Sequence, residues 1–319
     1  MNKEFDLIAR YFSRPAPSGF VGVGDDCAMF PVGSGYHLAT STDLLIEGTH
    51  FFADVDPNAL GHKALAVNLS DLAAMGAQPV ACLLSLALPA INDDWLAAFS
   101  SGFYALADRA GCPLIGGDTA RSTTGVIINV TVMGQVRPQQ ALRRDAARTG
   151  DDIWVTGTLG AADIALRLLQ GRMAPDAKLL AATRPALERP QPPWRYAQAL
   201  AGLAHAALDI SDGLQQDLGH ILKASGCGAV LDCSALPLDP ALHGLDAGLL
   251  RRAALTGGDV YQLCFTAPPD QRDRIQRLAE DDGTQVTHIG HIRSEPGLLL
   301  KGADGTDITT EAGGFDHFA

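Results

Sequence analysis

Basic residues are scarce in this chain. Across 319 residues, 24 Lys and Arg face 36 Asp and Glu, a formal net charge of −12. That balance argues against a general nucleic-acid binder, because phosphate backbones recruit Lys and Arg. Phosphate-bearing ligands stay open if metal ions intervene. Cysteine is sparse as well. The six cysteines, Cys27, Cys82, Cys112, Cys227, Cys233 and Cys264, include no C-x-x-C pair, so neither a zinc ribbon nor a dithiol redox motif is expected. Long apolar runs are missing: "PVACLLSLALPAI" is too short to span a bilayer and contains Ser85. The opening "MNKEFDLIARYF" carries acids where a secretory signal would have an apolar core. The expectation is a cytoplasmic protein with no membrane partner. No G-x-x-x-x-G-K-[ST], H-E-x-x-H or G-x-S-x-G string occurs, nor do the protein-kinase catalytic motifs.

What is present suits a soluble mixed α/β protein: 47% hydrophobic and 19% charged residues, in a chain long enough for two domains. "HLATSTDLLIEGTHF" reads as extended chain with a turn near Glu47-Gly48. Asp56-Pro57 starts a helix through "NALGHKALAVNLSDLAAMGA". Strand "VACLLSLALP", helix "DDWLAAFSSGFYALADRAG" and strands "PLIGGDT" and "GVIINVTVMGQV" follow. The polar, basic "RPQQALRRDAARTGDD" breaks this alternation and marks a boundary, giving domains 1–138 and 139–319. In the second, strand "DIWVTGTLG" leads to helix "AADIALRLLQ", and the Pro-rich "RPALERPQPPW" leads to another helix. Then come "AALDISDGL", helix "QQDLGHILKASG", strand "AVLDCS", "LTGGDVYQLCFTAP", a helix near 270–280, and strands "QVTHIGHI" and "GLLLK".

The chemistry-bearing signal is a recurring pattern in which an apolar run stops at an acid beside Gly, Ser or Thr. It appears at "GVGDD" (Asp25, Asp26), "ATSTDLL" (Asp43), "LIGGDT" (Asp118), "ALDISDG" (Asp209, Asp212) and "LTGGDV" (Asp259). Asp71 lies inside an Ala/Leu-rich helix, with Ala64, Leu65, Asn68, Leu72 and Met75 on its side. Each instance alone could be a turn or a strand end. Together, acids among so many apolar neighbours are costly unless paired or bound to a cation. With the hydroxyls of Ser41, Thr42 and Ser211 they would make an all-oxygen site of the kind Mg2+ prefers. Adjacent Asp25 and Asp26 would point to opposite faces of an extended segment, so Asp26 is the ligand candidate. "DISDG" fails as a calcium loop, because its twelfth residue is His220. His50 in "EGTHF" reads, by itself, as a satisfied strand histidine.

The strings "GVGDDCA", "STDLLIEGTHF", "KALAVNLSDLAAMGAQP", "LIGGDT", "VTGTLG", "LDISDGLQQDLGHI", "GGDVYQLCF" and "GGFDHF" resemble, in order and nearly end to end, the motifs of the thiamine-monophosphate kinases of the aminoimidazole ribonucleotide synthetase-like superfamily. The resemblance implies a two-domain α+β fold with a metal- and ATP-binding N-terminal domain and a C-terminal α/β domain completing the active site. It implies a homodimer whose N-terminal sheets join into a barrel. It implies ATP and thiamine monophosphate as substrates, with several Mg2+ ions. Carried over by position, Asp26, Ser41, Thr42, Asp43, Asp71, Asp118, Asp209 and Asp212 would hold metal. Gly117, Asp118, Arg144 and Ser211 would meet the nucleotide. His50, Asp259 and Phe315 would meet the thiamine substrate. The chain departs from the family pattern at "GGDVYQL", where Asp259, Val260 and Gln262 stand for Glu, Asp and Glu, and at Pro193, where Arg is expected and Arg195 follows two residues on.

A phosphate-monoester acceptor is already ionised near neutral pH, so no catalytic base beyond the metal ligands is expected, with Arg144 as an electrostatic helper. Two other readings stay open: a sister ATP-using enzyme, such as a selenophosphate synthetase or an amidine-forming ligase, and a non-catalytic nucleotide or thiamine-phosphate binding protein.

Overall fold

The computed structural model describes residues 8–12, 14, 15 and 32–309. Asp25, Asp26, Cys27 and Phe315 lie outside the described residues. The chain divides into two compact units, one of residues 1–72 and 77–138, the other of residues 73–76 and 139–319.

Among the described residues the first unit is a four-stranded sheet with two long helices. Its elements are β1 (His37–Ile46), α1 (Pro57–Ala74), β2 (Gln78–Leu88), α2 (Asp93–Ala110), β3 (Leu114–Arg121) and β4 (Ile127–Val136). The strand order is β1-β4-β2-β3, with β4 antiparallel to both neighbours and β2 parallel to β3. On β4 each second residue is buried, Ile128, Val130, Val132 and Val136 among them, while Asn129, Thr131 and Met133 face the other way and are half-buried. Asn92 caps α2 through the amide of Trp95 at 3.1 Å, and Gly111 closes it at φ 61°. Glycine lets the two helices touch backbone to backbone. A Cβ on Gly61 would lie 2.0 Å from the Phe99 carbonyl oxygen, and one on Gly102 would lie 1.9 Å from that of Asn58. This close crossing fixes the helix that carries Lys63, Asn68 and Asp71.

The second unit holds β5 (Asp152–Thr156), α3 (Ala161–Leu169), α4 (Ala177–Glu188), α5 (Trp194–Ala199), β6 (Ala206–Asp209), α6 (Leu214–Ser225), β7 (Gly228–Asp232), α7 (Ala247–Thr256), β8 (Leu263–Ala267), α8 (Arg272–Asp282), β9 (Val286–Arg293), β10 (Gly297–Lys301) and β11 (Asp307–Ile308). Its sheet runs β11-β10-β7-β9-β5-β8-β6, with β7 and β10 its parallel pair. Strand β5 is buried on both faces. Ile153 and Val155 join Leu208, Leu218 and Ile221 on one side, while Trp154 stacks on Phe265 near Tyr196 on the other. Two buried acids anchor the start of β5: Asp151 on His205 Nδ1 at 2.9 Å, and Asp152 on the Arg272 guanidinium through two bonds of 2.6 Å.

One feature differs from the sequence reading, and another fills a stretch that it left unassigned. The Pro-rich lead-in is half helical: α4 starts at the Asp176 cap, which accepts the Leu179 amide at 2.9 Å, and runs through Pro185 to Glu188. Pro185 sits in the last turns, where an Arg184–Glu188 pair at 2.7 Å supports the helix despite the missing donor. In "LTGGDVYQL", α7 runs to Thr256 and β8 begins only at Leu263, leaving 257–262 as irregular chain.

Candidate functional site

In the first unit, strand alternation turns Ser41 and Asp43 toward one face of β1 and Thr42 toward the other. On the Ser41 side, Asp71 reaches across from α1, and its Oδ2 accepts the Ser41 hydroxyl at 2.5 Å. Burial, then the charge of Asp71, pushes the Asp43 carboxyl up to about 7. Asp43 is held at its backbone. Its amide donates to Asn68 Oδ1 at 3.0 Å, and its carbonyl accepts Asn129 Nδ2 at 3.0 Å. Asn68 is 1% exposed and also donates to the Ala64 carbonyl, so α1 sets the position of β1 there. These two asparagines are positioning residues that the sequence reading did not assign. A buried Asn one turn before the helical acid is the signal that could have found the first.

Thr42 lies on the other face, donating to the Val130 carbonyl at 3.1 Å, with the Asn129 amide 2.9 Å from its hydroxyl. Asp43 pairs across the sheet with Val130, Leu84 and Gly117, whereas Asp118 lies in the next row with Ser85 and Asn129. Alternation therefore assigns Asp43 and Asp118 to opposite faces. Asp118 is exposed and accepts the Thr119 amide at 2.8 Å. Gly117 crosses β2 so closely that a Cβ would sit 1.7 Å from the Leu84 oxygen.

His50 is fixed by the turn after β1. Its Nδ1 accepts the Ile46 amide at 3.0 Å. An amide can only donate, so Nδ1 is the unprotonated nitrogen and Nε2 carries the ring proton. The buried Lys63 ammonium donates to the His50 carbonyl at 3.3 Å. The sequence reading passed over this lysine.

In the second unit the candidates gather around the turn between β6 and α6. Asp209 ends β6 and is 6% exposed. Ser211 and Asp212 follow, both half-buried, and Asp212 Oδ2 accepts Gln216 Nε2 at 3.2 Å. The segment 257–262 is bonded to this turn: the Asp259 amide donates to the Ser211 carbonyl and the Tyr261 amide to that of Ile210, both at 2.8 Å. Asp259 and Tyr261 adopt φ of 58° and 52°, a left-handed backbone that non-glycine residues rarely hold without reinforcement. The Tyr261 hydroxyl reaches Asp259 Oδ1 at 3.1 Å. Gln262 accepts the Thr156 hydroxyl at 2.8 Å and donates to the Gln191 carbonyl at 2.9 Å, two bonds of which a carboxylate could make only the first. Arg144 is exposed in a short helical turn whose carbonyl accepts the Ser225 hydroxyl at 2.8 Å. Asp217, absent from the sequence-level candidates, accepts three amides of the same turn. Burial pushes its carboxyl up to about 6, against the downward pull of those amides.

Apart from Asp118, the described candidate acids fall into two neighbourhoods, Asp43 with Asp71 in the first unit, and Asp209, Asp212 and Asp259 along the turn and its bonded segment in the second. Among the described residues no three acid, His or Cys side chains converge as a ready-made metal site. The Asp43–Asp71 pair nonetheless fits Mg2+, which is commonly held by one or two carboxylates, with water and substrate phosphates completing the shell. Like charges sharing a sheltered site, with a hydroxyl beside them, form a hard-oxygen donor set that a divalent cation relieves.

The chain matches two family descriptions: AIR synthase related protein, N-terminal domain, over residues 24–136, and AIR synthase related protein, C-terminal domain, over residues 148–301. It is 44% identical over 324 residues to the thiamine-monophosphate kinase of Salmonella typhimurium strain LT2, covering 99% of this chain and 98% of that one. The crystal structure of thiamine-monophosphate kinase from Stenotrophomonas maltophilia K279a superposes with a TM-score of 0.84 at 45% identity, covering 94% of this chain and 95% of that one. A structure of AaThiL complexed with AMPPCP and TMP superposes with a TM-score of 0.78 at 30% identity over 90% of this chain and 89% of that one. Among the described residues no helix is long and apolar enough to cross a membrane. With both domains matched in order and relatives aligned nearly end to end, the chain belongs to the thiamine-monophosphate kinase family of AIR synthase related proteins.

Proposed function

We propose that this protein transfers the terminal phosphoryl group of ATP to the phosphate of thiamine monophosphate, giving thiamine diphosphate and ADP. Full-length identity to thiamine-monophosphate kinases carries this reading, and a relative complexed with AMPPCP and TMP, a nucleotide analogue and the acceptor, agrees with it. The attacking oxygen belongs to a phosphate monoester that is already anionic, so the chain needs no base to activate it. Its task is to bring two anions together in an acidic protein. Asp43 and Asp71 in the first unit, and Asp209 and Asp212 in the second, would each hold Mg2+, which would neutralise phosphate charge where it binds. Asp26 and Ser41 join the proposed ligand set, and Thr42 and Asp118 are proposed as ligands from the other face of the sheet.

Asp43 is suited to this role because Asn68 and Asn129 fix its backbone and leave its carboxylate to turn toward a cation. Ser41 holds the second carboxylate, Asp71, in place. His50 is assigned to the acceptor substrate; the Ile46 amide orients its ring and Lys63 holds its carbonyl. Gly117, Asp118, Arg144 and Ser211 are assigned to the nucleotide, with Arg144 adding positive charge. Asp259 and Phe315 are assigned to the thiamine substrate. The strained segment bearing Asp259 supports its part, because strain is retained where function requires it.

A homodimer belongs to the proposal. Among the described residues strand β1 is a sheet edge, and Leu38 and Leu44 on it are each 49% exposed, an apolar surface that a second copy joining the sheets into a barrel would cover. The five described cysteines are free thiols, which suits a cytoplasmic address.

Incubation with ATP, Mg2+ and thiamine monophosphate tests the reading: thiamine diphosphate and ADP form in equal amounts. Binding of both substrates without product, or ATP consumption only with a different acceptor, would overturn it.

A further inference from the structure

Asp217 is buried, 4% exposed, and has no place in the ligand set above. Its Oδ2 accepts the amides of Ser211, Asp212 and Gly213, each at 3.0 Å. Three consecutive amides converging on one oxygen at a helix start is the arrangement with which a chain cradles a phosphate. Here the chain's own carboxylate fills the cradle, from the first turns of α6. The rest of this backbone is also engaged. The Ile210 amide donates to the Gln262 carbonyl at 2.7 Å, the carbonyls of Ile210 and Ser211 accept from Tyr261 and Asp259, and the Gly213 carbonyl accepts the Asp217 amide at 2.9 Å. Gly213 is required there, since at φ 122° a Cβ would lie 2.9 Å from the Thr256 carbonyl carbon.

With its amides turned inward, this turn has little backbone left to offer an anion. What it presents are the side chains of Ser211 and Asp212, beside Asp209. We propose that Asp217 is a positioning residue, an internal plug that closes an anion nest and thereby makes the turn a holder of cations. The inference rests on the reading that Asp209 and Asp212 hold Mg2+. Asp217 would act on the ion only through Asp212 and Ser211, as hydrogen-bonded partners behind metal ligands commonly do.

The test uses the full-length protein without nucleotide, with Mn2+ binding followed by electron paramagnetic resonance. Asp217→Ala is expected to weaken Mn2+ binding about tenfold, the lower end for losing such a partner. Asp217→Asn, whose Oδ1 can take the same three amides, is expected to stay within about threefold of the parent. A second readout separates a plug from general loosening: millimolar inorganic phosphate is expected to raise the Tm of Asp217→Ala and leave the parent unmoved. Parent-like Mn2+ affinity in a folded Asp217→Ala, or no phosphate effect on it, would overturn the inference. Should the alanine variant not fold, Asp217→Asn decides alone: retained affinity supports the plug, and a tenfold loss refutes it. Asp212→Asn is measured alongside. If it leaves Mn2+ binding unchanged, the metal reading of this turn has failed; if it weakens binding while Asp217→Ala does not, only the plug has failed.

Discussion

Asp43 and Asp217 are both sheltered carboxylates, and burial drives both upward, to about 7 and about 6. Their surroundings differ, although the charge of Asp212 also adds a lesser upward push on Asp217. Asp217 faces three amides of its own chain. Asp43 faces another acid, Asp71, while its backbone is held by two asparagines. A buried acid answered by amides builds structure, and one set against a second acid is a place for a cation. The same residue type thus serves as a brace in one unit and as a proposed ligand in the other.

The largest expected effect separates the two in catalysis. Asp43→Asn and Asp71→Asn should each lower kcat by roughly 100-fold or more, as removal of a group supporting transition-state charge commonly does, with circular dichroism unchanged. Turnover within threefold of the parent in both would break the comparison. In stability the order reverses. Asp217→Ala leaves three amides of a buried turn unanswered and should cost about 2–3 kcal/mol in denaturant unfolding, whereas Asp71→Ala in metal-free buffer should cost less.

A subtler consequence appears in pH. The folded protein holds a proton on Asp43 up to about pH 7, where an unfolded Asp would release it near 3.8. Stability from this source is full below about pH 4 and is lost as pH rises through 7. In EDTA at pH 8, Asp43→Asn should therefore be more stable than the parent by on the order of 2 kcal/mol, several degrees in Tm, the gap closing toward pH 4. A lower Tm for the variant at pH 8 would show that Asp43 is already well compensated. The smallest effect concerns Gln262. A glutamate there keeps the Thr156 contact and cannot donate to the Gln191 carbonyl, so Gln262→Glu should cost about 1 kcal/mol. An unchanged midpoint in urea would show that the amide is dispensable.

Much of this could be read in the residues. The alternation of β1, the capped helix ending before Pro79 and the acids at strand ends are local signals, carried by periodicity and turn chemistry. Asp71 stood out because an acid inside an Ala/Leu helix needs a reason. Other features were hidden for definite causes. Helix α4 was masked by Pro185, which its salt-bridged last turns tolerate. The bracing by Asn68, Asn129 and Asp217 depends on contacts to segments distant in sequence or on a side chain folding back on its own turn, neither of which periodicity reports. The left-handed backbones fall at Asp259 and Tyr261 rather than at the neighbouring Gly257 and Gly258, a placement that the Gly-Gly pair does not report. The division of Asp43 and Asp118 between two faces follows from strand register, set by pairing across β4 and β2.

The central claim is that Asp43 and Asp71 clasp a divalent ion. Calorimetric titration of Mg2+ into the protein with a non-hydrolysable ATP analogue, for the parent and for Asp71→Asn, addresses it most directly. The account predicts binding to the parent and at least tenfold weaker binding, or one ion fewer, in the variant. Identical affinity and stoichiometry in the two proteins would contradict it.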